Sequence, residues 1–187
     1  MMASHLTYIQ SGHGGPIIYD FTDTNCSYCH ILYNAEEHLV REGRLTVRYV
    51  PVAMIDPSSM SEAVYILQAK SPAAVLSNVE RIIGDNMENK NHITLPQVAH
   101  IIDNPFPREL ATIKEIELNN GFLHEIKVDQ LPDIIYQRSD GHLGLITGLI
   151  GKEELTSILA ESARVQVPGS GNADGTIAPI LMGKNDE

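Results

Sequence analysis

The sequence has few basic residues, few cysteines and no long apolar run. Its 187 residues contain 13 Lys and Arg against 24 Asp and Glu, which gives a formal net charge of −11. A phosphate backbone needs a basic surface, so this charge argues against nucleic acid or an anionic membrane as a partner. The apolar runs fall far short of the roughly 20 residues that span a bilayer. Hydrophobic residues nevertheless make up 43 % of the chain, as in an ordinary globular domain.

The N-terminal segment gives no targeting information. Residues 1–7 contain neither a basic segment nor an apolar core, so no secretory signal is visible. A cytosolic protein and a trimmed mature chain both fit this pattern. Residues 1–16 are polar and end in a glycine-rich stretch, and we interpret them as a linker or leader.

The only two cysteines are Cys26 and Cys29, separated by Ser27 and Tyr28. One C-x-x-C pair is too little for a disulfide framework, but it fits a redox pair, half of a metal site or, with His30, a haem attachment motif. A structural zinc site usually needs four ligands, and the remaining histidines show no paired ligand spacing. We therefore expect no metal and no cofactor beyond a redox-active Cys26–Cys29 disulfide. Two inert structural cysteines are the remaining alternative.

Hydrophobic periodicity predicts an alternation of strands and helices along the rest of the chain. Ser71-Pro72 is typical of a helix start, Gly43 and Gly84 are interpreted as helix stops, and Gly121 is expected to interrupt the helix that begins at Pro107. The predicted strands are 17–21, 45–50, 133–137 and 142–146, and the predicted helices are 27–42, 61–70, 72–83, 94–102, 107–119 and 152–163.

This order of elements predicts an α/β protein with a thioredoxin fold. A β-α-β unit is followed by a helical block and then by a β-β-α unit, so the catalytic domain covers residues 17–163 with a helical insertion at about 58–128. Residues 164–187 are rich in Gly, Asn, Asp and Pro, which predicts a poorly ordered tail. The C-x-x-C motif lies at the first strand-to-helix junction, and that position makes it a strong redox signal.

The position of the two thiols predicts their roles. Cys26 lies where a helix begins, and the unpaired N–H groups and positive dipole end there stabilise a thiolate, the nucleophile in disulfide exchange. Cys29 lies one turn further on and is shielded by the helix. We assign Cys26 as the attacking thiol and Cys29 as the resolving thiol. Ser27 and Tyr28 carry no charge and would tune Cys26 through hydrogen bonds and exposure.

Two further residues are candidates for roles beside the dithiol. Asp20 lies six residues before Cys26, and a buried carboxyl there could take the proton of Cys29; alternatively it faces solvent at the strand edge. Pro132 opens the third predicted strand, where it donates no ladder hydrogen bond. A cis bond would present the backbone of Leu131 to an extended substrate, whereas a trans proline would only mark the start of the strand.

Three segments together resemble the bacterial thiol–disulfide isomerases of the DsbC/DsbG type. The first is the catalytic segment, the second the start of the helical insertion, and the third the cis-proline loop with its following strand. They are Phe21-Thr22-Asp23-Thr24-Asn25-Cys26-Ser27-Tyr28-Cys29-His30, then Pro51 to Pro72, and Leu131-Pro132-Asp133-Ile134-Ile135-Tyr136. The strand Val47-Arg48-Tyr49 is similar to the second strand of the family.

The resemblance implies a periplasmic catalytic domain whose dithiol acts on exported polypeptides that carry disulfides or thiols. It also implies a redox partner protein, and a homodimer formed through a domain that has no counterpart in residues 1–16. The chain departs from the family at Ser27, where Gly or Pro is usual, and at Leu131, where Thr is usual. Asp20 is more similar to thioredoxin itself. A non-catalytic adaptor with a redox-sensing dithiol is the alternative function.

Overall fold

The computed structural model describes residues 6–90, 94–99, 101 and 103–162. Its strands and helices follow one another in the predicted alternation, with one additional strand at the start. In chain order they are β1 (Ile9–Ser11), β2 (Ile17–Thr22), α1 (Ser27–Arg41), β3 (Thr46–Pro51), α2 (Ser59–Leu67), α3 (Pro72–Asn89), α4 (Pro107–Glu125), β4 (Asp133–Gln137), β5 (Leu143–Thr147) and α5 (Lys152–Glu161). No helix within the described residues is long and apolar enough to cross a membrane.

The strands form one mixed sheet in the order β1-β3-β2-β4-β5. β2 and β3 are parallel and are joined through α1, whereas β4 is antiparallel to β2 and β5 is antiparallel to β4. This is the β-α-β unit followed by a hairpin and a helix that the sequence predicts. β2 therefore lies at the centre of the sheet, and the chain leaves it directly into α1.

Side chains alternate between the two faces of the sheet, and each face has its own core. On one face Ile18, Tyr49 and Ile134 pack with α1, α3 and α5, through residues such as Leu32 and Ile158. On the other face Phe21 and Ile135 pack with α4, and the rings of Phe21 and Phe122 stack with centroids 5.6 Å apart. Asp20 lies two residues after Ile18 in β2, and side chains two apart in a strand point to the same face. Its carboxyl therefore faces α1.

Residues 1–16 were interpreted as a linker, and for the later part of that segment this prediction is wrong. β1 pairs antiparallel with β3, with Ile9 opposite Tyr49, and the side chains of Leu6 and Ile9 are buried. Three residues of strand are too short to show a clear alternation, and the neighbouring glycines dominate the composition. The pairing covers the edge that β3 would otherwise expose.

The helical block also differs from the prediction in three places. Gly84 and Gly121 do not end their helices, which run on to Asn89 and Glu125. The helix predicted at 94–102 does not form in the described part of that stretch. Its backbone instead bonds to α2, with the N–H of Val98 donating to the carbonyl of Ser61 at 3.3 Å. The tail at 164–187 lies outside the described residues.

Candidate functional site

The two cysteines lie where α1 begins. Cys26 is the N-cap residue, with an extended backbone, and its Sγ accepts the N–H of Cys29 at 3.1 Å. The first turn carries no acidic side chain, so the helix N–H groups are the positive groups closest to the cap along the helix. This arrangement favours negative charge on the sulfur of Cys26, as the sequence analysis proposed.

Cys26 and Cys29 form a disulfide. Cys26 is 5 % exposed and Cys29 only 1 %, so Cys26 is the more accessible sulfur, although by a small margin. Ser27 and Tyr28 between them are exposed, and Tyr28 reaches 56 % exposure. The two intervening side chains therefore form the outer surface of the dithiol loop.

The loop that leads to Cys26 is held by a buried carboxylate that the sequence analysis missed. Asp23 Oδ1 accepts the backbone N–H of Asn25 at 2.9 Å and the hydroxyl of Ser59 at 2.7 Å. Asp23 Oδ2 accepts the backbone N–H groups of Met54 and Ile55 at 2.8 and 3.1 Å. One side chain thus binds the dithiol loop to the segment after β3 and to the start of α2.

A second buried carboxylate, on α2, strengthens the same connection. Glu62 Oε2 accepts the hydroxyl of Thr24 at 2.5 Å and the side-chain amide of Asn25 at 3.0 Å. Asn25 also donates to Ser59 Oγ at 3.0 Å. We call Asp23, Thr24, Asn25, Ser59 and Glu62 the loop clasp. It fixes the approach to Cys26 against the helical insertion.

Two fully buried carboxyls lie between the sheet and α1, one on β2 and one on α1. Asp20 and Glu36 are both 0 % exposed, and their carboxyls interact with each other. Burial raises the pKa of Asp20 well above its ordinary value, with the charges of Glu80 and Asp133 adding to the effect. Burial and the charge of Asp20 likewise raise the pKa of Glu36. The alternative in which Asp20 faces solvent is therefore wrong.

Glu36 is a site residue that periodicity could have revealed. It lies on α1 seven residues after Cys29, on the face that carries Leu32 and Leu39, so it points inward with them. Tyr49 of β3 pairs in register with Asp20, and its side chain is buried beside Glu36. Asp20 was identifiable from its spacing to Cys26, whereas Glu36 and Tyr49 have no such spacing to the cysteines.

The proline loop lies at the same end of the sheet as the dithiol. The peptide bond between Leu131 and Pro132 is cis. The next residue, Asp133, pairs with Phe21 near the end of β2, so the loop adjoins the segment that leads to Cys26. Pro132 is buried and its carbonyl accepts the N–H of Gly148 at 2.8 Å, whereas Leu131 is half-buried. Burial, followed by the charge of Asp129, raises the pKa of Asp133 to about 7.

His30 is buried and contacts a side chain of the insertion. Its Nδ1 lies 2.8 Å from Glu80 Oε2 on α3, and its Nε2 lies 2.9 Å from the amide nitrogen of Asn34. No local pattern indicates the contact with Glu80, because the two residues are 50 positions apart. No cluster of three or more His, Cys, Asp or Glu side chains in the described ranges could hold a metal ion.

A disulfide between the cysteines of a C-x-x-C motif, at the N-terminus of the helix that follows the central strand, defines the thioredoxin-like class of thiol–disulfide oxidoreductases. The chain belongs to this family, since the model of the Thioredoxin-like domain matches residues 7–163. The predicted α/β thioredoxin fold is confirmed, and the match includes β1.

Individual relatives agree with this class. The chain is 22 % identical over 143 residues to the thiol:disulfide interchange protein DsbG of Pseudomonas aeruginosa, a match that covers 76 % of this chain. The same match covers 50 % of DsbG, so the chain spans about half the length of this curated relative.

Solved structures show the same fold. A periplasmic thioredoxin-like protein from Salmonella enterica serovar Typhimurium aligns with a TM-score of 0.57 and 17 % identity, over 86 % of this chain and 90 % of that one. The catalytic domain of Proteus mirabilis ScsC aligns with a TM-score of 0.55 and 18 % identity, over 86 % and 89 % of the two chains.

Proposed function

We propose that this protein exchanges disulfides with polypeptides through Cys26 and Cys29. The Cys26 thiolate attacks a substrate disulfide, forms a mixed disulfide and releases one substrate thiolate. The Cys29 thiolate then attacks the Cys26 sulfur, which releases the second substrate thiolate and forms the Cys26–Cys29 disulfide. Two electrons pass from the protein to the substrate. The position of the disulfide at the N-cap of α1 carries this proposal.

Asp20 is proposed to accept the proton of Cys29 during the resolving step. A carboxyl with a raised pKa binds a proton more readily than an exposed one, and Asp20 lies on β2, the strand that leads into the dithiol loop. Glu36 shares this buried space and is coupled to Asp20. Asp20→Asn is therefore expected to slow decay of the mixed disulfide about tenfold or more. Alkylation of Cys26 should change little, and an unchanged decay rate would exclude the role.

Substrate is proposed to bind across the exposed dithiol loop and the proline loop. Ser27 and Tyr28 supply the outer surface beside Cys26. Leu131 and Pro132 come before the first paired residue of β4, where an extended chain could add backbone hydrogen bonds. The exposed apolar side chain of Tyr28 suits contact with unfolded polypeptide.

The finer proposal is a disulfide isomerase or reductase of DsbC/DsbG type, which acts on exported proteins in the periplasm with a separate redox partner protein. The similarity to DsbG and to a periplasmic thioredoxin-like protein supports it. A homodimer belongs to the same proposal. No nucleic acid partner is proposed, since the net charge is −11.

Trapping distinguishes the attacking from the resolving thiol. Cys29→Ser should accumulate mixed disulfides with a scrambled substrate through Cys26, and these should run as larger species on a non-reducing gel. Cys26→Ser is the matched control and should trap none. Equal trapping by both variants would contradict the assignment.

Turnover distinguishes an enzyme from the non-catalytic adaptor. The adaptor alternative needs a test because both sulfurs are little exposed. We expect the parent protein to reduce insulin with a thiol donor or to refold a scrambled disulfide substrate. A dithiol that is reduced and oxidised reversibly but supports neither reaction would favour the non-catalytic adaptor with a redox-sensing dithiol.

A further inference from the structure

A buried carboxylate from the helical insertion lies close to the dithiol helix. Glu80 projects from α3 and is 3 % exposed, and its Oε2 lies 2.8 Å from Nδ1 of His30, the residue that follows Cys29. The backbone N–H of His30 in turn donates to the carbonyl of Cys26 at 3.2 Å. Glu80 is thus connected to the dithiol through a single residue.

The two contacts of His30 indicate which member of the His30–Glu80 pair is charged. The amide nitrogen of Asn34 is a donor, so Nε2 of His30 accepts, and Nδ1 then donates to Glu80. A neutral imidazole with its proton on Nδ1 satisfies both contacts. In this arrangement Glu80 is the charged member of the pair, and both side chains are nearly buried.

Glu80 also adjoins residues around the dithiol loop. Glu80 borders a small apolar void together with Thr22, Thr24 and Tyr49, residues of the dithiol loop and of the strand beside it. Its charge also contributes to raising the pKa of Asp20 and that of Tyr33. Groups on β2 and on α1 therefore both experience the Glu80 carboxylate.

We propose that Glu80, held by His30, is a positioning residue that makes the Cys26–Cys29 couple more reducing. A negative charge beneath the helix start opposes the Cys26 thiolate and so destabilises the reduced protein. The insertion would in this way set the reducing strength of the dithiol, in addition to holding its loop. This inference rests on the proposed function in disulfide exchange. The redox equilibrium of the two cysteines can nevertheless be measured whether or not the protein turns over a substrate.

Equilibration with glutathione tests the proposal. Two glutathione thiols reduce the protein disulfide and become glutathione disulfide, so two electrons and two protons enter the protein. Glu80→Gln keeps an acceptor for His30 and removes the charge. We expect its equilibrium constant to shift toward the reduced protein by about tenfold, which equals about 30 mV for a two-electron couple. The pKa of the Cys26 thiol, followed by thiolate absorbance, should fall in parallel.

Glu88→Gln is the matched control. Glu88 lies on the same helix, about two turns further on, and is exposed at the same groove between α1 and α3. Water screens its charge, so this variant should keep the parent equilibrium constant. An equal shift in both variants, or no shift in Glu80→Gln, would overturn the proposal.

A second variant tests the charge of the pair if Glu80→Gln does not fold. His30→Asn removes the ring and retains an amide donor for Glu80, so the negative charge stays and the equilibrium constant should remain close to the parent value. A clear shift toward the oxidised protein would show that the imidazole carries a positive charge. The pair would then be neutral, and the proposal would be wrong.

Discussion

At the scale of single residues, the unusual feature is the concentration of buried carboxyl groups around one disulfide. Asp20, Glu36 and Asp133 are all fully buried. Asp20 and Glu36 interact with each other, whereas the oxygens of Asp133 have no hydrogen-bond partner among the described residues. Such groups cost free energy in the folded state, because burial opposes ionisation. Their retention beside the dithiol is consistent with the proton transfer that disulfide exchange requires.

The stability of the protein should depend on pH through Asp20. Its folded-state pKa lies above the ordinary 3.8, so the folded protein binds more protons than the unfolded chain between the two pKa values, and stability falls as pH rises through that interval. Asp20→Asn removes this cost. We expect a gain of about 1–3 kcal/mol in the free energy of unfolding at pH 7, and almost no gain at about pH 3.

Urea denaturation of the oxidised protein at the two pH values measures this effect. Asp85→Asn is a suitable control, because Asp85 is a partly exposed carboxylate paired with Arg81 on α3. Its loss should change stability by no more than about 1 kcal/mol at either pH. A loss of stability in Asp20→Asn at pH 7 would show that the ionised carboxylate is stabilised in the fold.

At the scale of elements, the loop clasp connects the dithiol loop to α2. Asp23→Ala leaves four donors without their acceptor, two of them on the backbone of Met54 and Ile55. We expect a loss of about 3 kcal/mol in the free energy of unfolding. The alkylation rate of reduced Cys26 should also change, because the N–H of Cys26 donates to the carbonyl of Asp23.

Asp56→Ala provides the comparison in the same region. Asp56 is exposed and accepts the backbone N–H of Ser58 at 2.9 Å. Chemical denaturation should show a loss of about 0.5 kcal/mol for this variant. Similar losses in the two variants would mean that the clasp contributes little beyond an ordinary turn.

The two glycines that failed to end their helices should differ in their response to alanine. At Gly121 an added Cβ meets nothing within 4 Å, so Gly121→Ala should stabilise the protein by about 1 kcal/mol through helix propensity. At Gly84 the Cβ would lie 3.1 Å from Nε2 of His30. Gly84→Ala should therefore stabilise less, or destabilise, in thermal melts; equal gains would show that His30 moves aside without cost.

These glycines also show what sequence patterns could and could not predict. Local signals located β2, α1, β3, β4 and β5 to within a residue or two, together with the dithiol at the start of α1. A glycine inside a helix resembles a stop when its partner is unknown, and at Gly84 that partner is a histidine on another helix. The contacts of Asp23 with Ser59 and of His30 with Glu80 join distant segments, so no local pattern reveals them.

At the scale of the whole molecule, the domain begins earlier than composition suggested. A chain shortened to residues 12–187 would lose the buried Leu6 and Ile9 and would uncover the edge of β3. Two such side chains contribute about 3–6 kcal/mol together, so we expect a large loss of stability or failure to fold. Unchanged stability of the shorter chain in urea denaturation would contradict a structural role for β1.

The central pairing of the sheet has a consequence for synthesis of the chain. Ile18 pairs with Tyr136, and more than half of the polypeptide lies between them. During synthesis β2 therefore has one edge unpaired until β4 has been made. We expect folding to be slow for a protein of this size, and newly made chains to depend on a chaperone that shields this edge from association with other chains.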